Sequence, residues 1–457
     1  MFDIVISGAQ VLLPTGLSRV DVAISNGQIA ALHAPEDQVA ARDRIAAEGL
    51  TLLPGAIDTH VHVRAPAFPE RGTVLTETSA AAAGGVTTIL EMPVTIPTTT
   101  SVEQLHLRRA HFECDALVNF GLYAGLGGID AAQACALREA GALAFKIFTT
   151  AVPPGREAEF DGLACPSEDQ QFRALEAANA AGLPLTVHCE NAGLLKLFGQ
   201  RSAGSNKAEA GFLNAARPAI CEAVAVAAIA AMNAEIGAKL HIAHVTSERT
   251  AEVLRRFSGL CDLTAEVCPQ SLYASETDLA RAGVDGKTIP PIRYEADSQA
   301  LWRALADGTI TQVATDHAPF DAAEKQASAA DFATAPAGVP GLEILVPAML
   351  DAVATQKLTL PKAWDLVSAS PARRFGLQGR KGEIAVGRDA DLILVDMSAP
   401  TEIRKDTLFT QARGAAGLYA GRRFQGKVRR TIVGGTTVFN DGAITGRGGE
   451  GAFVPPA

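Results

Sequence analysis

The stretch Pro54-Gly55-Ala56-Ile57-Asp58-Thr59-His60-Val61-His62-Val63-Arg64 carries the strongest fold signal in the chain. An apolar approach (Leu52, Leu53, Ala56, Ile57) leads into two histidines one residue apart. In a strand, side chains alternate faces, so His60 and His62 point the same way, roughly 7 Å apart along the backbone. Two imidazoles at the end of a buried strand can share one metal ion, because neutral nitrogen suits borderline cations such as zinc. The competing reading is a pair of polar residues leaving the core, and the rest of the chain decides between them.

Outward from that stretch, apolar strand-like runs recur at Thr87 to Met92, Val118 to Leu122, Ala144 to Phe148, Pro184 to Cys189, Leu240 to Val245, Leu263 to Val267 and Ile310 to Thr315. Helical stretches lie between them, at Ser101 to Phe112, Ala131 to Ala140, Ser167 to Ala181, Ala219 to Ile236, Glu248 to Phe257 and Asp297 to Ala306. With the opening strand near Ile57, this alternation predicts an α/β fold, a (β/α)8 TIM-like barrel over 54–375. A doubly wound open sheet would show a glycine-rich phosphate turn after its first strand, and no GxGxxG sits there.

The two ends differ from this middle. Val5 to Val11, Val20 to Ile24, Ile29 to Leu32 and Leu50 to Leu53 read as short strands. Ile432 to Val438 repeats the pattern of Val5 to Val11, and Gly382 to Ile384 and Asp391 to Asp396 are again strand and turn. A small β-sandwich made from 1–53 and 376–457 follows, with two separate β caps as the alternative.

Composition narrows the function. At 457 residues, one large domain plus a smaller one is expected, and 48% hydrophobic against 20% charged residues predicts a globular protein with a large interior. The net charge of -10 argues against nucleic acid or an anionic membrane as partner. The longest apolar run, Ala223 to Met232, is too short to span a bilayer. Met1-Phe2-Asp3-Ile4 shows no export signal, and seven cysteines without a CxxC predict a reducing cytoplasm.

Chemistry in such a barrel sits at the C-terminal ends of the strands. Those ends carry His60, His62, Lys146, His188, His244 and Asp316. Only nine histidines exist in the chain, and four fall at these positions. His188 and His244 read alternatively as hydrogen-bonded core histidines, and Asp316 as a helix cap. His241, three residues before His244 and so on the opposite strand face, reads as structural. Lys146 fits a bland role least. It lies among Ala144, Phe145, Ile147 and Phe148, where an unpaired ammonium is costly. Burial lowers its pKa and yields a neutral amine, able to add CO2 as a carbamate that bridges two cations.

PGAIDTHVH, the FKIF lysine, VHCEN, HIAHVTS, ATDHAPF and GEIAVGRDADLILVD resemble, in order and over nearly the whole chain, the cyclic amidohydrolases: dihydroorotase, allantoinase and hydantoinase/dihydropyrimidinase. The resemblance implies a metal-dependent hydrolase opening the amide bond of a small ureide or imide ring. It makes His60, His62 and Asp316 ligands of one divalent ion and His188 and His244 ligands of a second, with carboxylated Lys146 between them. Zinc fits that donor set, with cobalt or manganese also suited. Asp316 is then the catalytic acid–base group, carrying a proton from the attacking water to the departing ring nitrogen. Family members are commonly dimers or tetramers, which implies a homo-oligomer.

The residues expected at the substrate mix subfamilies. Arg64 looks like the dihydroorotase arginine that forks onto a substrate carboxylate. Val94 stands where those enzymes carry Asn, and Phe320 where they carry His. Phe145 to Thr150 with His188 to Ala192 looks closest to allantoinase. Gln270 follows the hydantoinase form, Ser271 replaces a usual tyrosine, and Pro290 lies in a segment shared with dihydroorotases and allantoinases. Allantoin is therefore the first expectation, then dihydroorotate or another cyclic amide, with a metal-free scaffold as the non-enzymatic alternative. The loops Thr149 to Pro166, Glu190 to Arg217 and Phe320 to Pro340 should decide.

Overall fold

A computed structural model describes residues 1–456 apart from 36 and 38. Eight parallel strands run in sequence order around one sheet, from Ala56–Val61 through Val86–Glu91, Asn119–Gly125, Ala144–Phe148, Leu185–His188, Leu240–Ile242 and Leu263–Val267 to Gln312–Val313. Every residue of the first three is buried. Helices cover the outer face and side chains fill the inside, so these strands read as continuous apolar runs rather than alternating ones. The ring closes beyond the eighth strand: the His62 amide donates to the His317 carbonyl at 2.8 Å, and the His317 amide to the His60 carbonyl at 3.2 Å.

All eight expected strands and all six expected helices are present, with shifted ends. The alternation did not reveal helix Val74–Ala83, whose Ala-rich sequence has little periodic contrast, or the short helices in the loops above the barrel. Helix Ala219–Ile236, apolar almost throughout, buries Val226, Ile229 and Asn233 and packs between helices Glu168–Ala181 and Glu248–Phe257.

Beside the barrel lie a four-stranded and a seven-stranded sheet. The larger takes Gln10–Leu13, Gly16–Arg19 and Thr51–Pro54 from one end of the chain and Leu392–Glu402, Arg423–Val433, Thr436–Asn440 and Ala443–Ile444 from the other. Leu52 and Leu53 pair antiparallel with Leu394 and Ile393. The expected single run Val5 to Val11 is two strands in different sheets. It breaks at Gly8, whose φ of 85° few other residues adopt and where a Cβ would meet the Glu48 side chain at 2.7 Å. Ile6, Val11, Val22, Ile24, Leu52, Leu392 and Ile432 form the core between these sheets. The segment around Phe453 leaves them for the barrel's third strand: the Phe120 amide donates to the Ala452 carbonyl at 3.0 Å and the Val454 amide to the Phe120 carbonyl at 2.8 Å.

Candidate metal centre and substrate cavity

The six expected residues come together at the C-terminal mouth of the barrel. His60 is the last residue but one of the first strand and His62 lies just past it, Lys146 is in the middle of the fourth, and His188 closes the fifth. His244 and Asp316 follow the sixth and eighth strands, both with left-handed backbone (φ 37° and 47°). Nε2 of His60 and of His62 lie 3.3 and 3.4 Å from Asp316 Oδ1. Donor atoms of these three residues all fall within 4.8 Å of one another, close enough to hold one ion.

His188 Nδ1 and His244 Nε2 lie 3.0 Å apart. Two nitrogens on one tetrahedral ion would stand about 3.3 Å apart at ordinary metal–nitrogen distances, so the pair is spaced for a shared cation. Burial first, then the neighbouring cations, holds His62 and His244 well below the usual histidine pKa, so both rings are neutral and offer lone pairs.

Lys146 is fully buried, and its Nζ has no hydrogen-bond partner among the described residues. It sits 4.9 Å from the centre of the Phe148 ring. Burial pushes its pKa down to about 8, against the pull of Glu266 and Asp316. His62 Nδ1 and His244 Nδ1 are also buried without partners. Buried polar atoms are rarely left so, and the Lys146 amine, facing the charges of Glu266 and Asp316 with no partner among the described residues, marks a place built for a missing group. The four imidazoles, the carboxylate and the amine fit divalent cations.

Several acids that the sequence did not single out orient these rings. Glu266, in the seventh strand, takes Nδ1 of His60 on one oxygen, and His241 Nε2 (3.1 Å) and Thr59 Oγ1 (3.0 Å) on the other. A proton held on Nδ1 leaves the Nε2 lone pair of His60 facing Asp316. His241 therefore reaches the barrel interior. The strand ends at Ile242 and the backbone turns at His244, so alternation does not carry across to separate the two rings. Glu190 accepts from His188 Nε2 at 2.9 Å and is gripped by both arms of Arg217, which fixes Nδ1 toward His244. Glu77 accepts from His317 Nε2 at 2.8 Å, from Thr410 Oγ1 at 2.6 Å and from the Gln411 amide at 3.0 Å. The local clue to Glu266 was an acid inside an apolar run, and to Glu190 its place two residues after His188.

Above the centre opens a cavity of about 830 Å³. Arg64 and Val94 lie on its wall. Gln270, Ser271, Pro290 and Phe320 do not, although all four positions flank the site. Pro269 starts a short helix that turns Gln270 away, to donate to the Thr315 carbonyl (3.1 Å) and accept from Tyr419 (3.0 Å). Ser271 is buried in the same helix, and Ile289 faces the cavity in place of Pro290. Phe320 lies beneath the guanidinium of Arg64, 5.1 Å from carbon to ring centre. All three expected loops contribute wall: Val152, Arg156 and Phe160; Leu195, Lys196 and Arg217; Ala333, Ala337 and Gly338. Asp316 is the one acid among the described lining residues, against the cations Arg64, Arg156, Lys196 and Arg217.

The amidohydrolase family model matches residues 51–438. An allantoinase from Solibacter usitatus is 33% identical over all of this chain and 98% of its own length. A dihydroorotase from Geobacillus thermodenitrificans is 34% identical over 93% of this chain and 96% of its own. The solved L-hydantoinase of Arthrobacter aurescens superposes with a TM-score of 0.94 at 28% identity, over the full length of both chains. Fold, donor set and sequence agree: the chain belongs to the amidohydrolase family.

Proposed function

We propose that the protein is a metal-dependent hydrolase that opens the amide bond of a small cyclic ureide or imide, with allantoin as the first substrate to test. The observation that carries this reading is the buried Lys146 amine, without a partner among the described residues, beside the imidazoles and Asp316 at the barrel mouth. Relatives named allantoinase and dihydroorotase across nearly the whole chain support it.

His60, His62 and Asp316 would hold one divalent ion, and His188 and His244 a second, with Lys146 between them. Zinc is the ion that best suits this nitrogen and oxygen set. Bound there, the ions supply an acidified water and polarise the scissile carbonyl. The neutral Lys146 amine adds CO2, loses a proton and becomes an anionic carbamate that satisfies its buried position. Glu266 and Glu190 fix which nitrogen each imidazole presents. Asp316, whose pKa burial raises, accepts a proton at its carboxylate and returns it to the departing ring nitrogen. Water thereby adds across the C–N bond: the carbonyl carbon ends as a carboxylate and the nitrogen as an open-chain amide N–H.

A second reading, a hydantoinase acting on rings with an apolar substituent, is favoured by Val94, Phe148, Val152, Phe160 and Leu195 on the wall. The cysteines are all free, which suits the reducing cytoplasm in which we place a homodimer or homotetramer. Purified, metal-loaded protein should contain about two ions per chain and open allantoin or a substituted hydantoin faster than dihydrouracil or dihydroorotate. Absence of bound ions together with no turnover of any ring would overturn the reading in favour of a scaffold protein.

A further inference from the structure

Arg64 is the cavity-wall cation nearest the histidines in sequence, and it is only 3% exposed. One face of its guanidinium packs on Phe320. Its Nη1 donates to the Val94 carbonyl at 3.4 Å, and its Nε has no partner among the described residues. A buried guanidinium so placed would capture a carboxylate on an incoming ring. The chain has already put one there. Glu159 Oε2 lies 3.8 Å from Arg64 Nη1, carried in by the loop that follows the fourth barrel strand.

Glu159 is itself firmly held. Arg156 grips it with Nε at 2.9 Å and Nη2 at 2.7 Å, and Arg71 stands 3.9 Å away. Arg71 makes its own two-pronged pair with Glu324, so it is not free to exchange. Phe160, the next residue, meets Phe148 edge to face with ring centres 5.0 Å apart and seats the loop against Val94 and Leu163. Burial works against the Glu159 carboxylate, but the Arg156 hydrogen bonds and the charges of Arg156, Arg64 and Arg71 outweigh it and hold its pKa below the usual carboxylate value. It is therefore anionic throughout the neutral range. A substrate carboxylate reaching Arg64 would meet this second negative charge at close quarters in a poorly solvated wall.

We propose that Glu159 is a specificity-determining residue: an internal carboxylate that occupies Arg64 and turns the site away from rings bearing an acidic substituent. The proposal rests on the hydrolase reading for its substrates, but its logic is a charge balance that binding alone also reports.

The test compares dihydrouracil with dihydroorotate, the same ring without and with a carboxylate, in the wild type and in Glu159→Gln. Gln keeps one hydrogen-bond acceptor for Arg156 and removes the charge. The expected result is a rise of about tenfold or more in the acidic-to-neutral ratio of kcat/KM, carried by KM for the acidic ring, as removal of a facing like charge should give. Adding Arg64→Met to Glu159→Gln should abolish the gain. Arg156→Gln, which loosens the same loop but leaves the Glu159 charge in place, should not raise the ratio. An unchanged ratio in Glu159→Gln, or an equal rise in Arg156→Gln, would overturn the proposal. If Glu159→Gln does not fold, Glu159→Asp, which withdraws the carboxylate from Arg64, should give a smaller rise, and none would count against the proposal. Should these two rings bind without being opened, the ratio of their binding constants still decides the role of Glu159, while the hydrolase reading fails only if allantoin and hydantoins are not opened either.

Discussion

Oε1 of Glu266 lies 2.5 Å from Nδ1 of His60, a contact between residues 206 positions apart in sequence. It couples the first barrel strand to the seventh and sets the proton of the imidazole that faces Asp316. Replacing Glu266 with Ala should leave the barrel folded and weaken divalent-ion affinity about 10–100-fold, the cost usual for loss of a group that orients a metal-ligating histidine. Titration of the metal-free protein with zinc or cobalt measures it. An unchanged affinity would remove Glu266 from the centre.

Lys146→Ala should lose both bound metal and turnover. Millimolar formate, acetate or propionate should restore part of each, by standing in for the carbamate. Full activity in the variant without added acid would rule out the bridging role.

Reconstitution of the metal-free protein should depend on pH through the same amine. The side chain adds CO2 only when neutral, and its pKa is pushed down to about 8. At fixed dissolved CO2, the rate of metal uptake should therefore rise with pH below about 8 and level off above it. A rate that is flat or falls across that range would show that the neutral amine does not limit assembly.

Among the described residues, Glu77 is the sole acceptor for three donors: His317 Nε2, Thr410 Oγ1 and the Gln411 amide. Glu77→Leu leaves these donors unmet in a buried place, at about 1–3 kcal/mol for each. The melting temperature should drop clearly, and metal affinity should fall with it, because His317 adjoins Asp316 and shares backbone hydrogen bonds with His60 and His62. A variant as stable as the parent would contradict the assignment.

Removing the ions should destabilise the native state without any substitution. A ligand held at a hundred times its dissociation constant stabilises by about 2.7 kcal/mol, so chelation should lower the melting temperature and readdition restore it. No shift on chelation would mean that the native fold holds no ion.

The barrel and its six converging residues were legible because the relevant signals are local. Fully buried parallel strands appear as short apolar runs, and their C-terminal ends can be read directly from where each run stops. Lys146 stood out because a charge inside Ala144–Phe148 contradicts its surroundings. Glu266, Glu77 and Glu159 were not legible, because each earns its role from partners far along the chain, such as His60, His317 and Arg64. Gln270 and Phe320 show the converse: position near the mouth was evident, but side-chain direction depended on a short helix and on the stacking of Arg64. Gly8 hid a change of sheet inside what reads as one strand.

The seven-stranded sheet sets a schedule for the molecule. Thr51–Pro54 is continuous in the chain with the first barrel strand, yet its neighbour on one side, Leu392–Glu402, comes from the far end. During synthesis that edge of Thr51–Pro54 must wait, unpaired, until Leu392–Glu402 has been made, and pairing it then carries the entropy of a very long loop. Truncation from either terminus strikes this same seam. The sheet beside the barrel is thus completed late, by a stitch joining Thr51–Pro54 to Leu392–Glu402.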